Sequence, residues 1–260
     1  VLSTATMRQD GKADALTIAG LSGSGAAVDN EATGDALVSI GNGAQLSGLN
    51  IVVSAKNIFD KDIFPISLFS GSVALGGLSV LASTTDVGTS GDRFEARIDI
   101  GSVNLKSTGN NASPGILRIE SLTDVEAYDS VEGSSVGGFN LLLGLSDVDV
   151  DSSSVVNLTG STVVNNAGKV DVTTRSMADT RSDADVTIAS LISGAVGGDT
   201  DTQIDTRNQV TLTNANVKGG EVNLFAGRDA YGQVNLIDGF ANSDVQAYSL
   251  LPNIGVPIAN

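Results

Sequence analysis

Apolar and polar residues alternate with a period of two in many short stretches of this chain. Four longer segments share one order: a strand, a small turn, a strand, a Gly or Asn, and a further strand. They cover residues 36–57, 96–124, 154–176 and 200–229. Period-two alternation is typical of β-strands with one buried face, and Gly and Asn supply the turns between them. The pattern therefore predicts an all-β protein.

The third segment shows how the alternation favours a right-handed parallel β-helix, or β-solenoid. In such a fold the inward residues of successive coils stack on one another, while Gly or Asn forms the corners. We expect Val156, Leu158 and Val163 to point inward, and Asn165 and Asn166 to turn the chain. Right-handedness follows from the general preference of parallel crossovers.

An antiparallel sandwich or an up-and-down barrel is the alternative, since both also need many short strands. Those folds usually carry hairpin turns at intervals of about 8 to 12 residues. The chain has few such turns: Asp10-Gly11, Asn42-Gly43 and Asp238-Gly239. The β-helix is the favoured interpretation.

The spacing of the repeats sets an expected size. Ile40, Ile100, Leu158 and Ile204 are taken as equivalent positions. We interpret each gap as two or three coils of roughly 20 to 25 residues, giving a rod about 50 to 60 Å long. Residues 1–260 are expected to form a single continuous β-helix segment of a longer chain, with degenerate repeats near 14–63, 64–136, 137–185 and 186–260.

Composition narrows the chemistry. The chain has no Cys and no His, which removes disulfides, thiolate metal sites and every Ser-His or Cys-His nucleophile. The net charge of −16 argues against nucleic acid and anionic membranes as partners. The uncharged run from Ile63 to Thr85 contains Pro65 and several Gly and Ser residues, so it predicts two short buried strands rather than a transmembrane segment.

The last quarter of the chain carries a family resemblance. Glu221 to Asp229 reads EVNLFAGRD, the strand at Gln233 to Asn235 follows, and Gln246 to Pro252 reads QAYSLLP. This arrangement, within Gly219 to Ile258, resembles a module of the leukotoxin-like family of filamentous bacterial adhesins. Ser249 and Leu250 depart from the more polar residues of the family pattern.

The segments that begin at Ala36 and Ser154 are similar to coils of the same family, and also to those of filamentous haemagglutinin and contact-dependent inhibition proteins. The resemblance implies a right-handed β-helix within a long secreted protein, located extracellularly on the bacterial cell surface. A structural or adhesive role follows, as a stiff spacer or a fibre component. The implied partners are further coils or copies of the same protein and a host or neighbouring cell surface.

No residue is assigned as catalytic, cofactor-binding or metal-ligating. Two groups of charged residues have both a ligand-binding and a structural interpretation. Arg228 and Asp229 are interpreted as a structural turn, with Asp229 accepting backbone N–H groups, rather than as a ligand contact. Asp147, Asp149 and Asp151 alternate on one face; an exposed strand face is favoured over a calcium site, although calcium prefers such oxygen ligands. The stretch from Gly197 to Asp205 resembles a single imperfect copy of a calcium-binding nonapeptide.

A polysaccharide-degrading β-helix enzyme is the alternative function. It would need clustered carboxylates in a cleft with aromatic residues, and Asp99, Glu120, Asp124 and Asp149 are the candidates. The chain has no Trp, three Tyr and no clear long loop to build a cleft, so we expect no enzyme activity. The apolar patches at Ile63–Pro65 and Phe139–Leu143 are interpreted as core rather than as adhesive surface.

Overall fold

The computed structural model describes residues 1–9, 14–61, 68–250 and 254–259, and the regular structure in them is β-strand. This confirms the all-β prediction. The thirteen strands are β1 (Leu2–Arg8), β2 (Asp14–Ala32), β3 (Asp35–Ile40), β4 (Gln45–Gly48), β5 (Asn50–Lys61), β6 (Leu68–Val87), β7 (Phe94–Ile100), β8 (Asn104–Ser107), β9 (Ile116–Thr159), β10 (Thr162–Thr213), β11 (Asn216–Ala226), β12 (Leu236–Ser249) and β13 (Ile254–Ala259).

Every pairing between these described strands is parallel. The antiparallel sandwich is therefore wrong for the described part of the chain. Leu2 pairs with Ser54, 52 positions later, and Asn50 pairs with Ile116, 66 positions later; these are the shortest and longest separations. The chain thus passes over itself in successive layers, and within the described residues each strand runs in the same direction as the strands it pairs with.

We call each layer a pass and count passes from the residues that share one register position. Asn50 pairs with Ile116, Ile116 with Lys169, and Lys169 with Glu221. The first pass begins at Val1 and the second to fifth passes begin at these four residues. At about 4.8 Å between neighbouring strands, the five layers stack to about 20 Å.

The predicted coil length is wrong. Ile40 pairs directly with Ile100, and Ile100 with Leu158, so each of those gaps is one long pass rather than two or three short coils. Ile204 is not the next equivalent position, because it pairs with Val150 while Leu158 pairs with Leu212. A stack of about 20 Å replaces the expected rod of about 50 to 60 Å.

In the second and third passes, the two halves of the pass face each other through side chains. In the second pass the rings of Phe59 and Phe94 meet edge to face, with centroids 6.3 Å apart. In the third pass a Cβ added to Gly133 would lie 3.2 Å from Leu142 Cδ1, and one added to Gly144 would lie 3.4 Å from Val131 Cγ2. The alternation along β9 follows from this arrangement, since every second residue enters the space between the halves.

The interior is narrow and made mainly of small aliphatic side chains, as the composition predicted. Val156, Leu158 and Val163 are fully buried, which confirms their predicted inward orientation. Polar groups share this interior: Thr123 Oγ1 lies 3.1 Å from Ser154 Oγ and 2.9 Å from Ser176 Oγ. Small hydroxyl residues can hydrogen-bond to one another across a narrow core, as these three do.

Asn residues shape several turns in the described part of the chain. Asn214 has a left-handed backbone with φ of 54°, as expected for Asn at a corner. Asn110 accepts a hydrogen bond from the backbone N–H of Ala112 at 2.9 Å, and Asn165, where β10 shifts register against β11, accepts one from that of Gly168 at 3.0 Å. Asn therefore acts here as a local turn residue.

The uncharged run beyond Ile63 forms one strand over its described part, β6, instead of two short strands. Ile63–Pro65 and the Asp10-Gly11 turn lie outside the described residues. No helix among the described residues has the length and apolar character needed to cross a membrane.

Candidate functional site

The AGRD motif ends β11 and begins a loop, residues 227–235, which we call the 227–235 loop. Gly227 has φ of +86°, a conformation that an L side chain rarely adopts. Asp229 Oδ1 accepts hydrogen bonds from the backbone N–H groups of Tyr231 (2.9 Å) and Gln233 (2.8 Å). The backbone N–H of Asn235 donates to Gly227 O at 3.0 Å and closes the loop. The prediction that Asp229 forms a structural turn is confirmed.

The loop leaves the fifth pass and lies across the outward face of the earlier ones. In the fourth pass, Arg175 donates to Asp229 Oδ2 at 3.2 Å, Gln233 Oε1 at 2.6 Å and the backbone oxygen of Val234 at 2.9 Å. In the third pass, Arg118 donates to Tyr231 Oη at 2.7 Å, and its guanidinium carbon lies 4.4 Å from the centroid of the Tyr231 ring. One loop therefore ties the fifth pass to the fourth and the third.

A groove lies between this loop and the strands beneath it; we call it the loop groove. Its volume is about 240 Å³, and second-pass residues contribute to one side. The expectation that no loop builds a cleft is wrong. The lining residues are Ser54, Lys56, Glu120, Ser121, Leu122, Thr173, Arg175, Asp229, Tyr231 and Gln233.

Glu120 is the most perturbed acid of the loop groove. Burial raises the pKa of its carboxyl group, Arg118 opposes that shift, and the charges of Asp229 and Asp171 add to it. Arg118 Nε lies 3.9 Å from Glu120 Oε2. A carboxyl group held in this setting keeps its proton to a higher pH than a solvated glutamate.

The structure brings together only some of the acids considered from the sequence. Glu120 and Asp229 both line the loop groove, and Asp124 reaches its edge through an ion pair of 3.3 Å with Lys56. Asp99 lies elsewhere: it accepts from Arg97 Nε at 2.7 Å and from Asn157 Nδ2 at 2.9 Å. Asp149 belongs to a separate acidic face.

That acidic face runs along the stack on β2, β6, β9 and β10. Asp86 pairs in register with Asp149, and Asp147 with Asp201. Burial, followed by the charges of neighbouring acids, raises the pKa of Asp86, Asp147 and Asp149. Like charges on adjacent parallel strands repel, so this face costs folding free energy at neutral pH.

The residues considered as calcium ligands, Asp147, Asp149 and Asp151, belong to this face. Asp151 forms an ion pair of 3.5 Å with Arg93, and its charge also contributes to the raised pKa of Asp149. Gly197 to Asp205, the stretch that resembles a single imperfect nonapeptide, lies within the extended strand β10. Among the described residues no group of three or more acidic side chains is arranged to hold a metal ion.

The apolar patch at Phe139–Leu143 is split by the alternation of β9. Leu142 is fully buried in the core, whereas Phe139 is 54% exposed. Beside Phe139 runs a second, apolar groove of about 540 Å³, to which Val136, Leu191, Tyr248 and Leu250 contribute. The core prediction therefore holds for Leu142 and is wrong for Phe139.

Comparisons with family models, curated proteins and solved structures found no match to this chain. The chemistry of the loop groove therefore has to be argued from its own residues. They present two cations, two carboxyl groups, an exposed tyrosine ring and several hydroxyl and amide groups on one concave surface. Such a surface can bind a polar ligand or position an acid near one.

Proposed function

We propose that this chain is a right-handed β-solenoid segment that serves as a stiff spacer or fibre component of a secreted filamentous bacterial surface protein. The resemblance of Gly219–Ile258 to the leukotoxin-like adhesin family supports this assignment. The same proposal places the chain outside the cell, in contact with further coils, further copies or another cell surface. Its mechanism is mechanical and requires no cofactor.

The observation that carries the proposal is the continuous register between long strands. From Ile116 to Thr159, β9 pairs with β10 with a single register shift, between Ser190 and Ser193. The backbone hydrogen bonds point along the stack, so pulling neighbouring layers apart must break many of these bonds together. The facing halves of the second and third passes supply an interior of buried side chains that keeps the layers aligned. Both features suit an element that bears load.

Surface labelling of intact source cells tests the proposal. An antibody raised against the purified chain should bind cells that have not been permeabilised, and immunogold particles should lie on fibrous material outside the envelope. Binding that appears only after permeabilisation would contradict the proposed location. An antibody against a cytoplasmic protein of the same cells controls for leakage.

A polysaccharide-degrading enzyme is the second candidate, and the raised pKa of Glu120 in the loop groove favours it. Glycoside hydrolysis usually needs a second free carboxylate near the first. Asp229 is the other carboxylate lining the groove, and Arg175 and two backbone N–H groups already occupy its oxygens. We therefore expect no release of reducing or unsaturated ends from neutral or acidic glycans. Release that is lost in Glu120→Gln would favour the enzyme.

A further inference from the structure

The loop groove has a lining in which positive and negative charges balance. Lys56, Arg175, Glu120 and Asp229 all line the groove, and Arg175 is paired with Asp229 at 3.2 Å. An anionic ligand would meet both carboxyl groups and a chain of net charge −16, while a cationic ligand would meet both basic groups. A neutral ligand with many hydroxyl groups meets neither penalty, because each hydroxyl can donate to a carboxylate and accept from a cation.

Tyr231 provides an aromatic surface beside these groups. Its side chain is 76% exposed, so most of the ring area is open to solvent. Arg118 fixes the ring by a hydrogen bond of 2.7 Å to the hydroxyl and by stacking at 4.4 Å. A tyrosine held in this way loses little conformational entropy when a ligand packs against it. Aromatic rings also offer an apolar surface to the C–H face of a ligand.

Thr173 is a second, independent sign of a binding surface. It lines the groove and is 1% exposed, and its Oγ1 has no hydrogen-bond partner among the described residues. A buried hydroxyl without a partner costs folding free energy, and a ligand hydroxyl that reached it after a small shift of the covering side chains would remove that cost. Other buried hydroxyls, such as those of Thr174 and Thr180, also lack a partner among the described residues, but Thr173 differs from them in lining the loop groove.

We propose that the loop groove binds one ring of a neutral saccharide, with Tyr231 as the stacking surface and Glu120, Lys56 and Thr173 as hydroxyl partners. The volume of about 240 Å³ is below the usual range for pockets that enclose drug-sized molecules, which suits a single sugar ring. The inference concerns a binding site and does not depend on the proposed structural role.

Saturation-transfer NMR on the purified chain tests the proposal. The neutral probes are the methyl glycosides of glucose, galactose and mannose together with N-acetylglucosamine; glucuronate and glucosamine are the charged counterparts. We expect at least one neutral probe to bind with a Kd of about 1 mM, and to bind more tightly than either charged sugar. Tyr231→Ala should weaken that binding about tenfold, which corresponds to about 1.4 kcal/mol.

Two further variants separate the groove from a general effect. Tyr248→Ala removes another exposed tyrosine that lies outside the loop groove, and should leave the binding unchanged. Glu120→Gln keeps the shape and should weaken binding without changing the circular dichroism spectrum. The proposal is overturned if no neutral probe binds at about 10 mM, if a charged sugar binds more tightly, or if Tyr231→Ala and Tyr248→Ala behave alike. Those outcomes would not change the result expected from the surface-labelling experiment, which tests the location of the chain and not its binding site.

Discussion

The ion pair between Lys61 and Asp129 lies wholly inside the fold, so removing one of the two partners should be severely destabilising. Lys61 is 0% exposed and Asp129 is 2% exposed, and Lys61 Nζ lies 3.3 Å from Asp129 Oδ1. Ser83 donates to the same oxygen at 2.5 Å and Thr85 to the other at 3.2 Å, while Lys61 also donates to Thr85. The pair joins the second pass to the third.

Replacing Lys61 by Met keeps most of the side-chain volume and removes the charge. Asp129 is then a buried carboxylate whose only remaining stabilisation comes from hydrogen bonds. Removing one partner of a buried pair typically costs about 3 to 5 kcal/mol. We expect the free energy of unfolding to fall by that amount at pH 7, as measured by urea denaturation followed by circular dichroism.

The double variant Lys61→Met with Asp129→Leu is the matched control. Replacing a whole buried pair by apolar residues is often neutral or stabilising, so most of the lost stability should return.

The loss of stability in the single variant should also shrink on acidification. Burial already raises the pKa of Asp129, so the cost of its charge is full above the raised pKa and disappears as the pH falls below the ordinary value of 3.8. A loss of less than about 1 kcal/mol in the single variant at pH 7 would refute this reasoning.

Two further predictions concern the acidic face and one turn. The pKa values of Asp86, Asp147 and Asp149 are raised, so just above pH 3.8 the folded chain binds more protons than the unfolded chain. The contribution of this face to Tm should therefore rise as the pH is lowered from 7 toward 3.8. Asp147→Asn should add about 0.5 kcal/mol at pH 7 and less in 0.5 M NaCl; a variant less stable than the parent would contradict this. Gly88→Ala should cost about 2 kcal/mol or more in urea denaturation, because φ at Gly88 is +74° and the new Cβ would collide with backbone atoms. Gly91→Ala in the same turn is the control: its new Cβ meets open space, so it should cost less than about 1 kcal/mol. Equal costs for the two variants would refute that account.

The sequence was sufficient to predict the strand content and the inward positions, because period-two alternation reports directly which face of a strand is buried. It also identified Ile40, Ile100 and Leu158 as equivalent. It could not set the length of a pass. Strands of 44 and 52 residues contain several alternating stretches, and each stretch looks like a separate short strand until the pairing partner is known. The partners lie 52 to 66 positions apart, and no local signal encodes that distance.

The candidate site was predictable only in part. Arg228 and Asp229 indicate a turn after β11, and the sequence predicted that this turn is structural. Its position over earlier passes was not predictable, because Arg118 lies 113 positions from its partner Tyr231. The buried pair of Lys61 and Asp129 was missed for a similar reason. Each charge, taken alone in an alternating strand, looks like an ordinary residue near the surface.

Disulfide formation between engineered cysteines tests the long-pass register most directly. Glu132 and Asp185 are both exposed and pair in register across the third and fourth passes, and the natural sequence has no Cys to interfere. In Glu132→Cys/Asp185→Cys we predict rapid, nearly complete oxidation, because neighbouring parallel strands place the Cα atoms within disulfide range. In Glu132→Cys/Asn157→Cys, a pair that a coil of about 25 residues would bring together, we predict free thiols. Efficient bonding in the second variant and none in the first would contradict the stacked-pass account.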